Sequence, residues 1–165
     1  MAVVDLFCGC GGLSKGFELA GFDIVAAFDC WQSALTCYNT NFTHRAHYLD
    51  LGNVTESVNQ ITPFDPTMII GGPPCQEFSN AGKRTEGPLA DLTYKYAQII
   101  TTLHPQFFVM ENVKGMLSVA EQVKEDFRAI GYSVECHILN AKNFGVPQNR
   151  ERLIYIGNCM GVDNE

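Results

Sequence analysis

Cys75 stands on the turn Gly71-Gly72-Pro73-Pro74-Cys75-Gln76, directly after the short apolar run Thr67-Met68-Ile69-Ile70. Proline fixes φ and removes a backbone donor, so the turn is stiff and Cys75 cannot be absorbed into the preceding strand. A thiol in that place can be aimed at a substrate, although a lone cysteine is more often a small buried hydrophobe. Further along come two groups that could assist it. Glu111-Asn112-Val113 closes a second apolar run and supplies a proton donor or acceptor, and Gln148-Asn149-Arg150-Glu151-Arg152 brings two guanidinium groups. Cations favour a thiolate and neutralise developing negative charge. A nucleophile, a carboxyl group and two arginines suit addition of sulfur to an electron-poor carbon. Each piece has a plainer reading. Glu111-Asn112 could cap the next segment, and Arg150 and Arg152 could be solvated on a strand edge.

A second constellation opens the chain. Asp5-Leu6-Phe7-Cys8-Gly9-Cys10-Gly11-Gly12 puts glycines between an apolar run and a helical pattern, which lets backbone approach a ligand and leaves a helix N-terminus open. The spacing Gly-x-Gly-Gly differs from the Gly-x-Gly-x-x-Gly of nicotinamide enzymes. Asp29 ends the next run, where it can accept from two ribose hydroxyls. Asp50 follows a third segment and could take an adenine amino group. Both could equally be turn residues.

The elements that must position these groups alternate. Ala2–Phe7, Asp23–Phe28, Met68–Ile70 and Phe107–Met110 read as strands, and Leu13–Ala20, Trp31–Asn39, Tyr94–Leu103 and Val119–Ile130 as helices. Ser133–Asn140 and Arg152–Gly157 read as a closing pair of strands. Strands alternating with helices of this length predict an α/β fold, a Rossmann-like, mainly parallel sheet with helices on both faces. Ligands in such sheets sit beyond the carboxyl ends of the strands, where all the motifs above fall. Ser79–Asp91 is the one long polar stretch and is expected to be a mobile loop over the site.

Composition bounds the rest. The chain has 165 residues, 46% hydrophobic and 18% charged, which fits one domain with a substantial core. No apolar run is long enough to span a membrane, and no leader is evident. Seven cysteines without paired spacing predict reduced thiols in an intracellular setting, bacterial cytoplasm or nucleus. The histidines His44, His47, His104 and His137 show no ligand spacing, so no metal is expected. A net charge of −7 is at odds with gripping a nucleic acid unless the cations gather in one cleft or come from a partner.

Taken in order, Asp5-Leu6-Phe7-x-Gly-x-Gly-Gly, Gly72-x-Pro74-Cys75-Gln76-x-Phe78-Ser79, Glu111-Asn112-Val113 and Gln148-x-Arg150-x-Arg152 closely resemble the cytosine-C5 DNA methyltransferases, over essentially the whole chain. The resemblance implies the S-adenosylmethionine-dependent methyltransferase fold, with S-adenosylmethionine as cofactor and S-adenosylhomocysteine as product. At the matching positions, Phe7, Gly9, Cys10, Gly12, Asp29, Cys30, Asp50, Leu51, Gly72, Pro74 and Leu92 would hold the cofactor. Trp31, one step past Cys30, competes for the place of the aromatic residue that stacks on adenine. Cys75 would be the nucleophile, Glu111 the acid beside the base, and Arg150 and Arg152 active-site arginines. Gln76, Ser79 and Asn112 would touch substrate, a cytosine swung out of DNA.

Family members usually continue past the arginine motif with a target-recognition domain, a further motif and a returning helix. The resemblance therefore implies that residues 1–165 are a catalytic domain incomplete at its C-terminus, working with a complementary chain in a restriction-modification setting. The alternatives are a remnant that keeps only cofactor binding, and a relative acting on transfer RNA.

Overall fold

The computed structural model describes residues 1–74 and 90–161, with nothing said of the side chains of Ala90 and Asp91. Cys75, Gln76 and Ser79, and nearly all of the polar stretch Ser79–Asp91, lie outside the described residues.

Seven strands form one sheet in the order β3-β2-β1-β4-β5-β7-β6. They are β1 (Ala2–Leu6), β2 (Asp23–Asp29), β3 (Ala46–Tyr48), β4 (Met68–Gly71), β5 (Phe107–Val113), β6 (Ser133–Asn140) and β7 (Glu151–Asn158). The pairs β1–β2, β1–β4, β2–β3 and β4–β5 are parallel, and β7 runs antiparallel to both β5 and β6. The α/β architecture expected from the sequence is the one observed. The strand order reverses between β1 and β4, so the chain leaves their carboxyl ends in opposite directions and opens a crevice there.

Helices α1 (Gly12–Leu19), α2 (Gln32–Asn41), α3 (Val54–Ile61), α4 (Ala90–Leu103) and α5 (Ala120–Arg128) cover the sheet. Alternation along each strand sends side chains to two cores. Val4, Leu6, Ile69, Phe108 and Met110 pack with Ile61, Tyr96, Ile99 and Phe127 from α3, α4 and α5. Val3, Ile24, Ile70 and Val109 pack on the other face with Leu13 and Phe17 of α1. Fully buried Tyr96 ties α4 to the sheet, its hydroxyl donating to the carbonyls of Ile69 (3.3 Å) and Val109 (3.2 Å).

Three boundaries differ from the sequence reading. β3 was not expected, because it has three residues and two of them, His47 and Tyr48, are exposed. α3 was not expected either, although Asn53 caps it by accepting from the Glu56 backbone N–H at 3.2 Å. β5 runs three residues past Met110, which carries Glu111 and Asn112 into the strand itself.

Gly157 shows how tightly β5 and β7 pack. It sits opposite Phe108, and a Cβ built on it would lie 2.0 Å from the Phe108 ring. That ring itself packs on Phe127, with ring centroids 4.2 Å apart and planes tilted by 30°. Gly157→Ala is expected to destabilise the fold by about 3 kcal/mol, a fall of roughly 6–12 °C in Tm for a chain of this size, measured by thermal unfolding.

Candidate active site

Two chambers meet at the carboxyl ends of β1 and β4. The first is a mostly apolar cleft of about 360 Å³. Eight of the residues expected to hold a cofactor line it: Phe7, Asp29, Cys30, Asp50, Leu51, Gly72, Pro74 and Leu92. Trp31, Leu49 and Gly52 complete its walls, so Cys30 and Trp31 both face it. The second chamber, of about 350 Å³, is lined by Asp5, Phe7, Cys8, Gly12, Leu13, Gly72, Glu111 and Arg150. Phe7 and Gly72 are common to the two. Phe7 holds its ring there from a left-handed backbone, φ 58°, a conformation that non-glycine residues keep only when their surroundings demand it.

The glycine turn is held by Asp29. One carboxylate oxygen accepts from the Gly9 N–H at 2.9 Å and the other from the Trp31 N–H at 2.8 Å. Asp29 thus clamps the turn after β1 to the start of α2. Gly11 has φ 92°, and a Cβ there would meet the Phe42 ring at 2.3 Å, so only glycine fits. No side chain caps α1, whose first residues Gly12 and Leu13 face the second chamber. Asp50 closes a turn by accepting from the Gly52 N–H at 2.9 Å while also lining the cleft. Gly9 and Cys10 line neither chamber. Cys10 is exposed.

Glu111 lies between the two arginines. Arg152 Nε is 2.7 Å and Arg150 Nη2 3.7 Å from Glu111 Oε1. The register explains the closer contact: Glu111 stands opposite Ile154, so Arg152 is its diagonal neighbour on the same face. β7 lies inside the sheet between β5 and β6, so Arg152 is not on an edge strand, whereas Arg150 precedes β7 and its side chain is 48% exposed. The Glu111 side chain is 26% exposed, which makes its surroundings wetter than a sealed pocket.

Asn112 needs a correction. Successive strand residues point to opposite faces, so with Glu111 toward the second chamber Asn112 turns into the protein, 1% exposed. Its Nδ2 donates to the Pro73 carbonyl and to Thr93 Oγ1, both at 3.4 Å. It braces the Pro73-Pro74 turn against α4 and does not face a substrate.

The C-5 cytosine-specific DNA methylase family model matches residues 1–164. The chain belongs to that family. Among its relatives, the type II methyltransferase M.HindV of Haemophilus influenzae is 48% identical over 99% of the chain and 55% of its own length. M.HgiDI of Herpetosiphon aurantiacus is 45% identical over 98% of the chain and 53% of its own length. The chain thus spans about half the length of these relatives. The S. pombe Dnmt2 methyltransferase superposes with a TM-score of 0.82 at 25% identity, over 100% of this chain and 51% of that one. The Entamoeba histolytica methyltransferase EhMeth shares the fold, with a TM-score of 0.83 at 24% identity over 100% of this chain and 55% of its own.

Sequence reasoning missed two sets of residues in this chain. Asn140 knots the segment before β7: its Oδ1 accepts from the backbone N–H groups of Lys142 and Arg150, both at 3.2 Å, and its Nδ2 donates to Asn149 at 2.7 Å. That knot fixes where Arg150 enters the second chamber. The other set is a buried polar chain. Ser14 Oγ donates to Asp5 Oδ2 at 2.5 Å, Tyr38 donates to Ser14 Oγ at 2.7 Å, and the Tyr38 oxygen lies 2.7 Å from His44 Nε2. Their sequence separations, up to 24 residues, give no local signal. Among the described residues, no cluster of His, Cys, Asp and Glu could hold a metal, and no helix is long and apolar enough to cross a membrane.

Proposed function

We propose that residues 1–165 form the cofactor-binding and catalytic part of an enzyme that methylates carbon 5 of cytosine in DNA. Family membership supports the chemistry. The observation that carries it is the pair of chambers sharing Phe7 and Gly72: one fits a methyl donor, and the other presents Glu111 and Arg150 to an acceptor.

The donor proposed for the first chamber is S-adenosylmethionine, which when bound supplies an electrophilic methyl group. Leu51, Pro74, Leu92 and Trp31 offer apolar surface for an adenine ring, with Asp50 at hand for its amino group. Asp29 has lone pairs left after accepting from Gly9 and Trp31, and these suit ribose hydroxyls. The uncapped N-terminus of α1 suits the carboxylate of the amino-acid end. Asp29→Ala removes both the clamp on the glycine turn and the ribose acceptor. It is expected to weaken cofactor binding by about 10–100-fold, read by isothermal titration calorimetry.

For an extruded cytosine in the second chamber, Cys75 adds to carbon 6 and Glu111 protonates the ring nitrogen that gains electron density. Carbon 5 is then nucleophilic enough to take the methyl group. Loss of the carbon-5 proton to water, return of the ring-nitrogen proton to Glu111 and departure of the Cys75 sulfur restore the aromatic ring. Arg152 holds Glu111 in place, and Arg150 faces charge building on the ring oxygen.

Target recognition is assigned to a complementary protein segment. A net charge of −7 leaves residues 1–165 with few cations for phosphate, and the curated relatives are about twice as long. The substrate makes the enzyme intracellular. The deciding experiment is transfer of tritiated methyl to DNA, with transfer RNA in parallel, by residues 1–165 with and without that segment. Label on carbon 5 of DNA cytosine is expected, whereas label on RNA alone would reassign the substrate. Cofactor binding without transfer in any combination would mean a binding remnant.

A further inference from the structure

Asp5 is the buried group that the proposed reaction leaves without a task. It is 1% exposed on β1 and lines the second chamber. Ser14 satisfies Oδ2, but Oδ1 is buried with no hydrogen-bond partner among the described residues. Removing a carboxylate oxygen from water without a partner is costly when the group is charged. Such an arrangement persists where something positive is to arrive.

The position says what that is. Phe7 and Gly72 wall both chambers, so a donor whose reactive centre faces the acceptor must place that centre at their junction, on the side where Asp5 lies. The groups facing Asp5 from neighbouring elements are mostly acidic or neutral. They are Asp29 from β2, Ser14 from α1, Tyr38 from α2, Cys8 from the glycine turn and Glu111 from β5. Arg150 is the cation lining the chamber, and it leans on Glu111.

We propose that Asp5 is a charge-recognition residue of the cofactor site, its unpartnered oxygen favouring the cationic sulfonium donor over the neutral thioether left after transfer. The inference rests on the cofactor assignment made above. Burial, opposed by the Ser14 hydrogen bond, pushes the Asp5 carboxyl up to about 7, so the group stands between its neutral and charged forms at neutral pH. A sulfonium favours the charged form and expels the proton, and a thioether does not. The expelled proton is released to solvent. As pH rises through 7, Asp5 ionises and sulfonium affinity gains on thioether affinity.

The test titrates the full chain with S-adenosylmethionine and S-adenosylhomocysteine between pH 6 and 8, in buffers of different ionisation enthalpy. In the wild-type chain the thioether-to-sulfonium ratio of Kd values is expected to rise about tenfold across that range. Near pH 7 only the sulfonium should release a proton. Asp5→Asn should flatten the ratio and lower it about tenfold at pH 8, whereas His44→Gln should keep the slope. If the wild-type ratio is flat, or Asp5→Asn keeps the wild-type slope, the proposal is overturned. Should the Asn variant not fold, the wild-type ratio and proton count decide alone. If neither ligand binds the wild-type chain, the cofactor assignment itself falls, and the proposal with it.

Discussion

Cys75→Ala is expected to lower methyl transfer to DNA by on the order of 10³-fold or more, while cofactor affinity stays within about twofold of the wild-type value. The described residues lead up to this position with little freedom. Gly71 ends β4, and a Cβ on Gly72 would lie 3.1 Å from Glu111 Oε2. The Pro73 carbonyl accepts from Asn112, and Pro74 lines the donor cleft. Pro74, the last described residue before Cys75, is thereby fixed at the wall of that cleft. Oligonucleotides carrying 5-fluorocytosine cannot lose the substituent at carbon 5, so the enzyme should be trapped as a covalent adduct at Cys75. A Cys75→Ser chain that methylates as fast as the wild type, or an unbonded Cys75 after incubation with the fluorinated DNA, would refute the nucleophile.

Glu111→Gln is expected to reduce kcat by about 10²–10⁴-fold with cofactor Kd nearly unchanged. The amide keeps the shape of the side chain and can donate a hydrogen bond, but it cannot deliver a proton to the base. It also removes the charge that holds Arg152 at 2.7 Å and Arg150 at 3.7 Å. This cluster is partly solvated, with Glu111 26% and Arg152 25% exposed, so the loss of stability should stay near 1 kcal/mol or below. Rapid-quench methyl transfer and thermal unfolding, measured together, separate the two roles. A collapse in Tm with kcat intact would make Glu111 a structural anchor for the arginines.

Period and local chemistry account for what could be read along the chain. The apolar runs of β1, β2, β4 and β5 are buried strands with near-continuous hydrophobic sequences, as a parallel sheet covered on both faces requires. β3 escaped because three residues, two of them exposed, carry too little hydrophobic pattern, whereas α3 is as long as α1 and its Asn53 cap was a local signal left unread. Asn112 was misplaced for a related reason. With β5 ended at Met110, nothing local separated Glu111 from Asn112, and the family resemblance put both at the site. Once the strand runs to Val113, period-two alternation forces them apart.

By itself, then, the sequence determined the α/β class, the family, the ordered motifs and the side chains available for chemistry, because strand and helix periods and glycine and proline backbone effects are local. Only the tertiary structure decided which of these groups meet. Inserting β7 between β5 and β6 brought Arg152 to Glu111, from 41 residues away in the chain. The reversal of strand order at β1 and β4 joined the cleft to the Glu111 chamber, and burial left Asp5 with an oxygen unpartnered. Contacts of this kind depend on sheet order and on exclusion of water, which no short stretch of chain encodes.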